Sequence, residues 1–198
     1  MELDIDNISE YYTRMSDQEL IRVSTQDASG LRPEVFEIIE NEIKKRNLNP
    51  NLINGALAQN KKYTTEELEK YSEKLRKLPC PICGQTEQKL NGTIAHSVKS
   101  FLIFTTFKTE PFIACPQCLD KKNNQALISS AILGWWGIPW GLLKTPAYIF
   151  RNITAKKQNH LDNSNETMLS FTLSNIGVLE TYGNDNTKLT MLIQPKDQ

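Results

Sequence analysis

Apolar residues recur three and four positions apart over the first third of the chain. They give way to β-branched and aromatic runs in the middle, then to one long apolar stretch and a mixed tail. Ser16-x-x-Glu19 is a capping box, in which hydroxyl and carboxylate each satisfy a free backbone N–H at a helix start. It predicts a short helix carrying Leu20, Ile21 and Val23 that stops before Asp27-Ala28-Ser29-Gly30. Pro33 suits a first helical position, and Val35, Ile38, Ile39 and Ile43 share one face of the helix that follows. Lys44-Lys45-Arg46-Asn47 complements the C-terminal dipole of that helix, and Pro50 prevents its return. A helical hairpin results, followed by a short turn or helix over 51–58.

Thr64-x-x-Glu67 is a second capping box and predicts a helix over 65–78, with Leu68, Tyr71, Leu75 and Leu78 in a narrow apolar stripe. Such a stripe needs a neighbour, either the N-terminal hairpin or a second copy of itself in a homodimer. Its charged remainder reads as a solvated face. After Pro79, residues rich in Val, Ile, Thr and Phe predict strands near 93–98, 100–108 and 111–115.

Between residues 123 and 150 the only charge is Lys144, and all three tryptophans, Trp135, Trp136 and Trp140, fall there. The length suits a bilayer span, but Gly137, Pro139, Gly141 and Pro146 interrupt it. Two short apolar helices folding back at Gly134–Gly141 are expected instead. They either complete a core for the central segment or meet a membrane or protein partner through the tryptophans, with basic residues on both flanks.

The tail from 164 fits a strand through Leu169, Phe171 and Leu173, or a helical face through Leu169, Thr172, Leu173 and Ile176 with Ser164 as cap. The expectation is a helix ending near Asn175-Ile176-Gly177, a loop at Gly183-Asn184, and an Asp185-capped helix stopped by Pro195. The fold class is therefore α+β. An N-terminal helical module (1–60) and an amphipathic connecting helix (61–79) precede a central β-ribbon domain with the tryptophan segment (80–155), and a linker with C-terminal packing elements (156–198) follows.

Chemistry concentrates in the four cysteines. Cys80-Pro81-Ile82-Cys83-Gly84 and Cys115-Pro116-Gln117-Cys118 are two C-x-x-C pairs, with the strand-forming segment between them. That is the ligand spacing of a structural zinc site, with iron as the chemical competitor at the same thiolates. Four thiolates close the coordination shell, whereas catalytic zinc keeps an open position. Redox use of one pair needs a βαβ setting that the pattern does not supply. His96 reads as a surface or packing side chain, His160 lies in a polar linker, and no nucleophile–base pair or phosphate loop accompanies either, so an enzyme is not expected.

Net charge is zero but segregated: residues 80–160 carry nine basic and three acidic side chains, between two acidic flanks. Lys89, Lys99, Lys108, Lys121 and Lys122 could serve a nucleic acid, yet they are too sparse for a dedicated binding face. The first residues, Met1-Glu2-Leu3-Asp4, lack a secretory pattern. That points to a reducing cytoplasm, at the inner face of the membrane should the tryptophans meet lipid.

The CPxCG knuckle, the CPxC knuckle and Gly134-Trp135-Trp136-Gly137-Ile138-Pro139-Trp140-Gly141 together resemble a zinc-ribbon module of bacterial proteins of uncharacterised function. The resemblance covers about residues 15–47 and 78–152. It implies Cys80, Cys83, Cys115 and Cys118 as Zn²⁺ ligands and no catalytic residue. The function expected is a binding or scaffold module.

Overall fold

The computed structural model describes residues 5–101, 104–133 and 140–195. Ten α-helices and one two-stranded antiparallel sheet are found among these residues, a mixed α+β chain. The chain divides into two compact units, one of Met1–Tyr71 with Thr172–Leu189, the other of Ser72–Phe171 with Thr190–Gln198.

In the first unit, α1 (Ile5–Arg14), α2 (Asp17–Arg22), α3 (Pro33–Lys45) and α4 (Leu52–Ala58) follow one another, with a π-helical turn, Val23–Asp27, after α2. The expected capping box opens α2: Glu19 N–H donates to Ser16 Oγ at 3.3 Å, and Ser16 N–H donates to Glu19 at 2.8 Å. Tyr12, Leu20, Val23, Val35, Ile39, Ile43 and Leu52 form its core. Arg46 does more than complement the α3 dipole. Its guanidinium donates to the Tyr12 and Met15 carbonyls at 2.9 and 2.6 Å, so it closes the C-terminus of α1.

The second capping box also forms, with Thr64 N–H donating to Glu67 at 2.9 Å, and opens α5 (Thr65–Arg76). Of the stripe, Leu75 and Leu78 are buried within the chain, Leu78 just past the end of α5. The charged side of α5 is not all solvated, because Arg76 is only 2% exposed. Its Nε donates to the Leu90 carbonyl at 3.0 Å and its Nη2 to the Asp162 carbonyl at 2.6 Å, while Glu73 balances its charge at 3.1 Å. Arg76 thus ties the segment entering the sheet, at Leu90, to the segment around Asp162, far from it in sequence.

Three short strands were expected, and two long ones form: β1 (Asn91–Phe101) and β2 (Phe104–Ala114), paired from Asn91↔Ala114 to Phe101↔Phe104. Pro111 does not break β2, for a reason that lies in the register. It sits opposite Ile94, in phase with Gly92, His96 and Val98, whose backbone groups point away from β2 and bond side chains instead. The N–H that proline lacks would therefore have faced the outer edge.

β1 is flanked by α6 (Pro116–Leu133) and α7 (Trp140–Asn159), much longer than the two short helices expected. Pro146 lies inside α7 on its exposed side, so the helix continues at the cost of one amide donor. The two helices cover the outer edge of β1 with side-chain amides and hydroxyls. Asn152 accepts from His96 N–H at 3.1 Å and donates to the His96 carbonyl at 2.7 Å, and Ser130 Oγ accepts from Val98 N–H at 3.0 Å. Asn165 donates to the Gly92 carbonyl at 2.6 Å. Unpaired strand edges invite further strands, and here the edge is closed within the unit. Asn152→Ala should leave two buried backbone groups of His96 without partners and cost about 3 kcal/mol, read as a fall in the unfolding midpoint in urea.

Asn165, not Ser164, caps α8 (Glu166–Ser174): Met168 N–H donates to its Oδ1 at 2.9 Å, while Ser164 Oγ is 2.6 Å from Ser72 Oγ. The helical reading of the tail holds, but it runs further than expected. After a break at Asn175, α9 (Ile176–Tyr182) continues beyond Gly177, and α10 (Asn186–Ile193) follows a loop at the predicted place.

Candidate metal centre

The first cysteine pair lies on a turn that the sequence specifies residue by residue. Gly84 N–H returns to the Cys80 carbonyl at 2.8 Å and Cys80 N–H donates to the Gln85 carbonyl at 2.9 Å. Gly84 has φ +74°, a left-handed conformation in which a side chain would be strained. The second cysteine pair lies at the start of a helix. Pro116 is the first residue of α6, so Cys115 stands at the helix N-terminus and Cys118 in its first turn. Leu119 N–H donating to the Cys115 carbonyl at 3.0 Å is the first bond of that helix.

The register Asn91↔Ala114 brings the two segments together, since it sets the residue before Cys115 against the start of β1. One Sγ from each of Cys80, Cys83, Cys115 and Cys118 then lies within 4.8 Å of every other. Cys83 Sγ is 3.7 Å from Cys115 Sγ, and all four thiols are free, not disulfide-bonded. A tetrahedron with metal–sulfur bonds of about 2.3 Å has an edge of about 3.8 Å, so this separation fits a common ion. Cys80, Cys115 and Cys118 are buried and Cys83 is exposed.

The four thiols sit in unequal electrostatic surroundings. Burial opposes ionisation of Cys80, but backbone N–H groups of Cys115, Cys83 and Ile82 outweigh it and bring the thiol down to about 7. The Cys115 N–H is 3.4 Å from Cys80 Sγ. Burial pushes Cys115 up, against a backbone N–H from Cys118 and the side chain of Gln85. Cys118 is raised further by burial and by its neighbouring cysteines. Such crowding of four thiols, with donors aimed at them and a helix N-terminus beneath two, is relieved by a cation at their centre.

No protein family, curated protein or solved structure matches the chain.

Neither histidine joins the sulfur cluster. His96 packs against Tyr148, with ring centroids 5.2 Å apart, and its Nδ1 is 3.3 Å from Thr109 Oγ1. Burial, with Arg151 nearby, holds its pKa below the ordinary imidazole value. The neutral ring is therefore favoured on folding, and stability is present above the unfolded value near 6.5 and lost as pH falls through the folded one. His96→Gln should flatten the loss of thermal stability between about pH 7 and 5 relative to the unsubstituted protein. His160 Nε2 is 2.9 Å from Asp120 Oδ2, beside Asn159, whose amide also reaches Asp120 at 2.9 Å. The polar segment that reads as a linker is thus partly a bracket between α6 and α7.

Of the lysines considered for a nucleic acid, Lys89 pairs with Glu73 and Lys108 with Glu110, each at 2.8 Å, and Lys122 lies 4.8 Å above the Phe112 ring. Trp135 and Trp136 lie outside the described residues, and Trp140 opens α7. No described helix is long and apolar enough to cross a membrane. Sequence reasoning missed the buried asparagines at 91, 123, 152, 159 and 165, all at 3% exposure or less. Their signal was present only as polar residues inside or beside apolar segments.

Proposed function

We propose that this chain is a non-enzymatic binding or scaffold protein whose second unit is organised by a structural Zn²⁺ held by Cys80, Cys83, Cys115 and Cys118. The observation that carries the reading is the convergence of four free thiols within 4.8 Å from two segments far apart in sequence. Zinc is preferred to iron because a redox-inert ion suits a closed four-sulfur shell that has only to hold a fold together. The second pair does sit between a strand and a helix, the local setting of a redox dithiol. The first pair, however, is within the same cluster, which favours four ligands over an exchanging disulfide. Four thiolates leave no position for water or substrate, so the ion would supply folding energy and no chemistry. A reducing compartment follows from the need to keep the thiols free. Elemental analysis of gently purified protein should give about one zinc per chain. A ratio near zero, or stoichiometric iron, would refute the assignment.

A further inference from the structure

The outer edge of β1 is bridged by side chains at Gly92 and at His96 and is open between them. At one end the Asn152 carboxamide holds both backbone groups of His96, accepting from its N–H and donating to its carbonyl. At the other, Asn91 accepts from Gly92 N–H at 3.1 Å, while Asn165 donates to the Gly92 carbonyl and, at 3.0 Å, to the Gln158 carbonyl of α7. Ile94 lies midway, and its register opposite Pro111 turns its own N–H and carbonyl to the same outer edge. Neither group has a partner among the described residues. The two bridges set Thr154 and Ala155 at the level of Ile94 on α7. Thr154 Oγ1 is engaged by the Phe150 carbonyl at 3.0 Å, and alanine has no polar group to offer.

A cavity of about 380 Å³ opens at this stretch, bounded by Gly92, Ile94 and His96 of β1 and by residues of α7 and the first turn of α8. That volume is in the range of small-molecule sites. Its lining carries one cation, Arg151, and one carboxylate, Glu166. Both are exposed, and neither has an ion-pair partner among the described residues; Arg151 stands only over the Tyr148 ring, 5.8 Å from its centroid. Arg151 precedes Asn152 and Glu166 follows Asn165, so the two charges flank the edge with Ile94 between them. Opposite charges around an unbonded N–H and carbonyl match a ligand with an ammonium, a carboxylate, and a third group that is both donor and acceptor. The Asn152–His96 contact shows the chemistry of that third group, since one primary carboxamide satisfies both backbone groups of one strand residue at 3.1 and 2.7 Å. A nucleotide would suit Arg151 but would set its phosphate against Glu166. Another strand is stopped by Asn152 and Asn165, which occupy the edge on either side.

We infer that this cavity binds a zwitterionic amino acid or short peptide bearing a primary carboxamide, with Ile94 bonding the carboxamide, Arg151 the carboxylate and Glu166 the ammonium. The inference goes beyond the zinc reading. It is tested on the whole zinc-loaded chain, with the metal measured on the same sample, so that a missing metal and a missing ligand give different results. The probes are L-glutamine and the dipeptide glycyl-glutamine, titrated by calorimetry, with L-glutamate as control because its carboxylate cannot donate to the Ile94 carbonyl. Saturable binding is expected. Tighter binding of glutamine assigns the free amino acid, and tighter binding of the dipeptide assigns a peptide. Glutamate should bind about tenfold or more weakly, since it leaves the Ile94 carbonyl without a donor. Arg151→Gln and Glu166→Gln should each weaken binding by about tenfold or more, while zinc content and circular dichroism stay unchanged. On saturation the Ile94 amide resonance should shift and its N–H gain protection from hydrogen exchange. Absence of binding by both probes up to about 10 mM overturns the proposal. So does glutamate binding as tightly as glutamine, undiminished binding by both charge variants, or an Ile94 amide that the ligand leaves unmoved.

Discussion

Removing the metal, by a chelator or by Cys115→Ser, is expected to unfold Ser72–Phe171 while leaving α1–α4 protected. Cys115 is the ligand whose loss reaches furthest. It is 1% exposed, its N–H supports the Cys80 sulfur at 3.4 Å, and its carbonyl accepts the first bond of α6. Serine keeps those backbone bonds and the side-chain shape but is a poor zinc ligand, so the substitution isolates the metal from the packing around it. Zinc held by four thiolates contributes on the order of 10 kcal/mol or more of apparent folding energy. A domain's net stability is about 5–15 kcal/mol, so little remains without the ion. Amide hydrogen exchange followed by peptide is the measurement: protection should vanish in β1, β2 and α6 and persist in α2 and α3. Retained protection in β1 and β2 after the metal is gone would mean that the sheet and its asparagines suffice.

The two capping boxes and the four cysteines were legible in the sequence because each depends on residue types at fixed local spacing. The helical reading of the tail was partly legible, but its reach past Gly177 was not, since the partner of α9 is α4, more than a hundred residues earlier. The sheet was mis-divided because Pro111 looks like a strand break until the register shows where its missing N–H would point. Arg76 and Asn152 were illegible for a deeper reason. A buried polar residue is tolerated only when specific distant groups satisfy it, and pattern rules assign it to solvent.

Gly177→Ala is expected to lower the stability of the first unit by about 3 kcal/mol, although alanine favours an isolated helix over glycine by about 1 kcal/mol. The reason is the crossing of α4 and α9. A Cβ on Gly177 would stand 2.5 Å from the Thr25 carbonyl oxygen, 2.7 Å from Gln59 Nε2 and 2.9 Å from the Gly55 carbonyl oxygen. Two of these are backbone atoms, which cannot swing aside as the end of a side chain can. Gln59 is also engaged, donating to Ser24 and Gly55 carbonyls at 2.9 and 3.1 Å, so displacing it costs the π-helical turn the partner of its Ser24 carbonyl. Gly55 faces the same crossing, where a Cβ would meet the Gly177 carbonyl oxygen at 2.6 Å, and Gly55→Ala should cost a similar amount. The pair is not additive, because either substitution alone forces the helices apart. Gly84→Ala separates the two causes of glycine dependence: no atom lies within 4 Å of its Cβ position, and only φ +74° opposes it, at about 1–2 kcal/mol. For a chain of this size about 3 kcal/mol lowers the melting temperature by roughly 10 °C. A Gly177→Ala protein melting at or above the unsubstituted temperature would mean that α4 and α9 do not cross this closely in solution.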